Sequence, residues 1–274
     1  MGRSDGKLVK NMPAIERLIP HIMSRRYDAT NYAKVELDIE KLQKFLRGLR
    51  VEGHSIGIMD AVIYAYVKLL RNRPEINRFI ANKKVYDRNY IAVAFNMIKY
   101  HEDGKVEETV IKIYIEPEDD LISISKKIRA SIKENETPQS KNAIDRLMDK
   151  LVMLPFLPGT LVAIIKWMDR RGILPKKIIH LSPFHSSLYL SNLGSIQMDY
   201  VYHHLYDFGT TSMFCTIGKP VRTKEPDGSK KQMISFGISI DERICIGAVW
   251  TKALFEFRRY LENPTSLLDG EGEK

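Results

Sequence analysis

The chain has 274 residues, 44% of them hydrophobic, enough apolar side chain to bury one substantial core. Its formal net charge is +9, yet the basic residues are spread along the whole length without interleaved aromatics, which argues against nucleic acid as a partner. Two cysteines, Cys215 and Cys245, do not make a disulfide framework and fit reduced thiols in a cytoplasm. No metal-ligand spacing is present, and the polar start GRSDGKLVKN lacks the apolar centre of a secretion signal.

Residues 1–12 read as a basic flexible tail, 13–268 as one domain and 269–274 as an acidic tail. Ile15, Leu18, Ile19, Ile22 and Met23 recur at helical spacing, and Pro20 predicts a kink or a split there. Ala33, Val35 and Leu37 alternate with Lys34, Glu36 and Asp38, a half-buried strand. Asp38 is then placed to cap a helix whose apolar face is Leu42, Phe45, Leu46 and Leu49. Glu102-Asp103-Gly104-Lys105 is a hairpin turn between a strand ending near Tyr100 and another starting near Val106, and Leu121, Ile124, Ile128 and Ile132 mark the next helix.

The segment 143–187 is a divergent apolar stretch. Within it Leu151–Ile165 (LVMLPFLPGTLVAII) runs 15 residues without a charge. Two prolines and a glycine interrupt it, and a membrane span needs about 20 apolar residues, so it is not a transmembrane helix. Lys166, Arg170, Arg171, Lys176 and Lys177 follow, which would suit a helix lying on an anionic membrane surface or docking on a partner. Pro155 and Pro158 break the periodicity such a helix needs, and the favoured expectation is a helical pair packed on the core or on a neighbouring subunit.

A second hairpin turns at Pro226-Asp227-Gly228. Trp250, Ala253, Leu254, Phe257 and Leu261 form the last helix, stopped by Pro264. The alternation of helical and strand patterns predicts an α/β (α+β) domain, a two-layer sandwich of mixed sheet and helices.

One stretch carries more than local structure. Asp241-Glu242-Arg243-Ile244-Cys245-Ile246-Gly247 resembles the Asp-His-Arg-x-x-Asp-Gly signature of the catalytic domain of the 2-oxoacid dehydrogenase dihydrolipoyl acyltransferases, and the shorter His-x-x-x-Asp-Gly of the chloramphenicol acetyltransferases. Glu242 stands where that family has His and Ile246 where it has the second Asp. Other landmarks keep the family's order. Ile56–Asn77 resembles its Ala-rich helix ending in Pro-x-x-Asn, with Asp60, Ala65, Pro74 and Asn77 in place, and Tyr90–Phe95 resembles the strand that follows. Leu190-Ser191-Asn192-Leu193-Gly194 resembles its Ile-Ser-Asn-Leu-Gly, Phe214–Gly218 its small-residue strand, and Leu261-Glu262-Asn263-Pro264 the end of its last helix.

The resemblance implies a chloramphenicol acetyltransferase-like fold, a homotrimer, and a site built between subunits that takes coenzyme A or acyl-CoA as substrate. No lipoyl domain or lipoyl attachment has room in the chain. In that family the signature His takes the proton of a thiol or hydroxyl acceptor, and a Ser or Thr in the Ser-Asn-Leu-Gly strand of the adjacent subunit stabilises the oxyanion. The catalytic candidates here are therefore Glu242 and Ser191. An ordinary Glu, near pKa 4.3, is a weak base at pH 7, and only burial would lift it to the task. Two further groups lie close in sequence: Cys245 as a nucleophile, and the pair His203 and His204, of which strand geometry would point one inward. Three readings stay open: an acyltransferase acting on a small thiol, alcohol or amine; a catalytically inactive trimer binding acyl-CoA or a protein partner; and a membrane-surface scaffold using 143–187.

Overall fold

The structure, a computed structural model, describes residues 3–101, 103–137, 141–153 and 158–268. The acidic tail 269–274, Met1, Gly2, Glu102 of the first hairpin turn and Pro155 of the apolar run lie outside the described residues.

In chain order the elements are β1 (Gly6–Leu8), α1 (Ala14–Ile22), β2 (Thr30–Asp38), α2 (Glu40–Val51), α3 (Ile58–Asn72), β3 (Arg78–Ala81), β4 (Lys84–Arg88), β5 (Ile91–Tyr100) and β6 (Val106–Ile115). Then come α4 (Leu121–Asn135), α5 (Ala143–Val152), α6 (Pro158–Arg171), α7 (Lys176–Leu181), β7 (Leu188–Asn192), β8 (Met213–Ile217), β9 (Val221–Lys224), β10 (Lys230–Asp241) and α8 (Gly247–Glu262). The main sheet runs β2-β10-β8-β7-β5-β6, with β9 paired to β10, and it is mixed: β7 lies parallel to both β5 and β8 while the other pairs are antiparallel. A smaller sheet, β1-β4-β3, flanks it.

One face of the sheet carries the core. Leu37, Phe95, Leu190, Phe236 and Ile238 point into it from the strands, and Leu42, Leu46, Ile63, Ile124 and Phe257 meet them from α2, α3, α4 and α8. α3 is buried along most of its length, as its nearly continuous apolar run requires. The opposite face of the sheet holds a minor cluster of Ala94, Tyr189, Leu205 and Phe214. This is the expected sandwich, with both hairpins where the Asp-Gly dipeptides put them.

Several local expectations need correction. Residues 3–8 are no flexible tail: β1 pairs with β4, and buried Arg3 bonds Asp5 (2.8 Å) and Asp169 of α6 (2.7 Å). Pro20 does not split α1, which runs unbroken from Ala14 to Ile22 with the proline in its last turn. Asp38 lies one residue ahead of the helix cap, Ile39, although its carboxylate still accepts the Glu40 amide at 2.9 Å.

The stretch 143–187 forms three helices where a pair was expected. α5 docks on β6, where Asp145 accepts the Thr109 hydroxyl at 2.9 Å. The α7 region closes over Lys112, whose ammonium donates to the carbonyls of Ile179, Ser182 and His185, each at 2.9 Å. Burial, reinforced by the Arg88 charge, pushes Lys112 down to about 6. α6 instead turns Leu161, Ile165 and Met168 towards the body and keeps Ile164 and Trp167 uncovered in the single chain.

Candidate functional site

β10 delivers the signature stretch to the edge of the sheet. Its last residue pairs with Thr30 of β2, and the Asp241 amide donates to the Ser212 carbonyl at 2.9 Å. The Asp241 carboxylate is fully buried and receives a fork from Arg243, Nε to Oδ1 at 2.8 Å and Nη2 to Oδ2 at 2.7 Å. Arg26 approaches the same carboxylate at 3.3 Å. The remaining donors close the loop: Arg243 bonds the Met23 carbonyl (3.0 Å), and Arg26 bonds those of Tyr206 (2.7 Å) and Gly209 (3.2 Å). Burial and the neighbouring Arg243 charge hold the Arg26 guanidinium below its ordinary pKa. Asp241 and Arg243 thus have a structural task, tying the end of α1 and the 206–209 segment to the strand. Sequence reasoning missed Arg26, since nothing local marks a residue whose partner lies 215 positions away.

Glu242 follows on the outer side of this knot. Its amide donates to Ala29 at 3.0 Å, and the Asn31 side-chain amide donates to its carboxylate. It is half-buried and lines a pocket of about 270 Å³ with Glu16, Ile19, Met23 and Ile246. Ile246, at the family's second Asp position, is half exposed and offers no polar atom. Cys245 turns inward, and burial pushes its thiol up to about 12, so it is no nucleophile near neutral pH.

Ser191 ends β7 at the other end of the sheet, in register with Thr216 of β8. It lines a groove of about 1010 Å³ with apolar walls that include Met59, Phe95, Met97, Ile217 and Ile234, and with Arg50 and Arg129 among its charged residues. Arg129 is anchored by buried Asp60, the landmark acid of the α3 start, at 2.5 Å. The glycines after Ser191 have a steric cause: a Cβ on Gly194 would meet the Gly218 carbonyl oxygen at 2.9 Å, and one on Gly218 would meet Asp199 Oδ1 at 2.7 Å. The Ser191 hydroxyl has no hydrogen-bond partner among the described residues.

Within one chain the two candidates do not meet. Thr216, beside Ser191, is opposite Gly237, four positions before Asp241. That is roughly 13 Å along the strand and roughly 10 Å across two strand spacings. The pockets at Glu242 and Ser191 share no residue.

The histidine pair belongs to neither pocket. Residues 201–206 are not a strand, and the two rings lie together instead of facing opposite ways: His203 stacks on Phe214 (4.0 Å between centroids) and His204 stacks on His203 (4.6 Å). Burial lowers the His203 pKa, which keeps the ring a neutral packing element. The chain can pass this close only because Gly237 lacks a side chain; a Cβ there would sit 2.2 Å from the Val201 carbonyl oxygen. Among the described residues no group of His, Cys, Asp and Glu is arranged to hold a metal ion.

This architecture, a mixed sheet backed by four helices with a Ser-Asn-Leu-Gly turn at one end and the 241–247 loop at the other, is that of the acyltransferase catalytic cores. The chain is similar to the cubic core of a pyruvate dehydrogenase multienzyme complex, at TM-score 0.58 and 14% identity over 95% of this chain and 94% of that one. It is also similar to a probable dihydrolipoamide acetyltransferase of Listeria monocytogenes (TM-score 0.57, 16% identity, 97% and 98% covered) and to a chloramphenicol acetyltransferase (TM-score 0.55, 12% identity, 93% and 99% covered). At these identities the likeness defines the fold. No family profile matches the sequence, and no curated protein sequence does.

Proposed function

We propose that this chain binds an acyl thioester of coenzyme A in the Ser191 groove and passes the acyl group to a small thiol, alcohol or amine, at a site completed by Glu242 of a second copy in a closed trimer. The observation that carries this reading is the placement of the two candidates: an unpartnered Ser191 hydroxyl in a large groove with apolar walls, and a half-buried Glu242 at the far end of the sheet, out of reach of Ser191 in the same chain. α1 supports it. This helix borders the Glu242 pocket through Glu16 and Ile19, and it leaves Ile15, Leu18 and Ile22 exposed, as a face covered by another copy would be.

The chemistry balances with these two groups. The Glu242 carboxylate takes the acceptor's proton as the acceptor attacks the thioester carbonyl, and the Ser191 hydroxyl donates to the oxyanion. Collapse expels the coenzyme A thiolate, which recovers the proton. A second reading, acyl-CoA binding without turnover, draws on one observation: among the described residues no histidine lines either pocket.

Subunit complementation tests the proposal. Ser191→Ala and Glu242→Gln chains, each strongly impaired alone in a coenzyme A release assay with mixed acyl donors and acceptors, should regain activity when unfolded together and refolded as a mixture, because some interfaces then pair an intact Ser191 with an intact Glu242. Recovery from neither mixture nor wild type, with acyl-CoA still bound, would establish the silent reading. A monomer in light scattering would remove the shared site altogether.

A further inference from the structure

α6 has a surface that neither the core nor the acyl-transfer reading uses. Its inner side, Leu161, Ile165, Met168 and Asp169, faces the body, with Asp169 buried against Arg3. Its outer side is apolar where a surface helix is ordinarily polar. Trp167 is 53% exposed and Ile164 48%, the two large apolar side chains of this side, whereas Val162 (44%) lies on the flank beside Asp169. At helical spacing Ala163, Ile164, Trp167 and Arg171 share the face turned away from Asp169.

Charge decides what fits this face. Lys166, Arg170 and Arg171 of the same helix, and Lys176 and Lys177 at the start of the next, are all exposed, and none forms an ion pair with a described residue. Arg171 lies over the Trp167 ring at 5.5 Å. The only acid between residues 158 and 187 is Asp169, which is buried and already paired. A protein partner would have to supply both an apolar groove and a ring of carboxylates, whereas an anionic bilayer presents an apolar interior beneath a continuous layer of phosphates. A tryptophan flanked by basic residues suits that boundary.

We propose that α6 lies on the surface of anionic membranes, with Trp167 and Ile164 entering the headgroup layer and the five cations resting on lipid phosphates. The helix docks on the surface and does not span it; no helix among the described residues is long and apolar enough to cross. This inference stands apart from acyl transfer.

The test is flotation of the full chain with vesicles of phosphatidylglycerol and phosphatidylcholine in equal parts, beside vesicles of phosphatidylcholine alone, at low salt. The protein should float with the first and not the second. The chain has two tryptophans and Trp250 is 3% exposed, so a blue shift of fluorescence on binding reports Trp167. Trp167→Glu should abolish flotation and leave thermal unfolding close to wild type, since the side chain is 53% exposed. Lys166→Gln with Arg171→Gln should weaken partitioning by about five-fold per charge removed. Absence of flotation, flotation unaffected by Trp167→Glu, or equal binding to neutral vesicles would each overturn the proposal. A fall in assembly mass on Trp167→Glu, with no wild-type flotation, would assign the face to contact between copies.

Discussion

Arg243 grips Asp241 with both Nε and Nη2, so two residues of the seven-residue signature are consumed in folding the loop back on itself. Arg26 shares that carboxylate, which leaves one buried anion between two buried cations. Asp241→Asn keeps the shape and removes the only charge facing both guanidiniums. The expected loss is about 3–5 kcal/mol, as for other buried pairs deprived of one partner. Urea unfolding measures it; a change below about 1 kcal/mol would mean that the knot is dispensable.

The two candidate catalytic side chains should behave otherwise. Ser191→Ala and Glu242→Gln remove groups that face pockets, so stability should stay within about 0.5 kcal/mol of wild type. Coenzyme A release should fall about 10²–10³-fold for Ser191→Ala, the cost of one oxyanion donor, and about 10²–10⁴-fold for Glu242→Gln. Turnover that survives Glu242→Gln would eliminate the base assignment.

Both thiols should be silent in the native state. Burial pushes Cys215 and Cys245 up to about 12 each, so at pH 8 only about one thiol in ten thousand is ionised. A disulfide reagent should titrate two thiols after denaturation and close to none before it. Rapid native labelling of one thiol would show that the 241–247 loop opens.

Acid stability should report on Asp169. Burial works to raise its pKa, yet the carboxyl is held down at about 2. His185, 3.3 Å away, and the Arg3 guanidinium, 2.7 Å away, oppose that burial. The folded pKa is below the unfolded value of about 3.9, so the stabilisation is present above that pH and is lost as pH falls through about 2. In Arg3→Met one of the two groups that oppose burial is gone, so the slope of unfolding free energy between pH 5 and pH 3 (about the range where the unfolded carboxyl titrates) should become shallower than in wild type. Parallel slopes in both proteins would acquit Arg3.

The helices and strands were legible wherever burial follows a regular period. α3, α8 and both hairpins stand where the apolar spacing and the Asp-Gly turns put them, and the order of Ser-Asn-Leu-Gly and the 241–247 stretch identified the fold. What sequence could not show is which face a side chain meets. Cys245 turns into the core from the loop after β10, and His203 lies on Phe214 where the chain crosses the narrow gap over Gly237, and neither placement leaves a local trace. The Arg3, Asp5 and Asp169 cluster was missed for the same reason: a basic residue near a chain start resembles a tail until its distant carboxylate is known. The 158–171 segment is divided: Leu161, Ile165 and Met168 turn inward as the packed-helix expectation had it, while Ile164 and Trp167 stay exposed in the single chain.

The Arg3 clasp makes the front of the chain a latch for its middle. Arg3 also donates to the Asp169 backbone carbonyl at 2.5 Å, and the Asn89 backbone amide donates to the Asp5 carbonyl at 3.1 Å. Trimming the first five residues, or dragging on them with a bulky fusion, would therefore loosen a helix 166 positions downstream and leave an acid stranded beneath it. A tag for purification or tethering is better carried past the 3-10 turn that follows α8, at the opposite terminus.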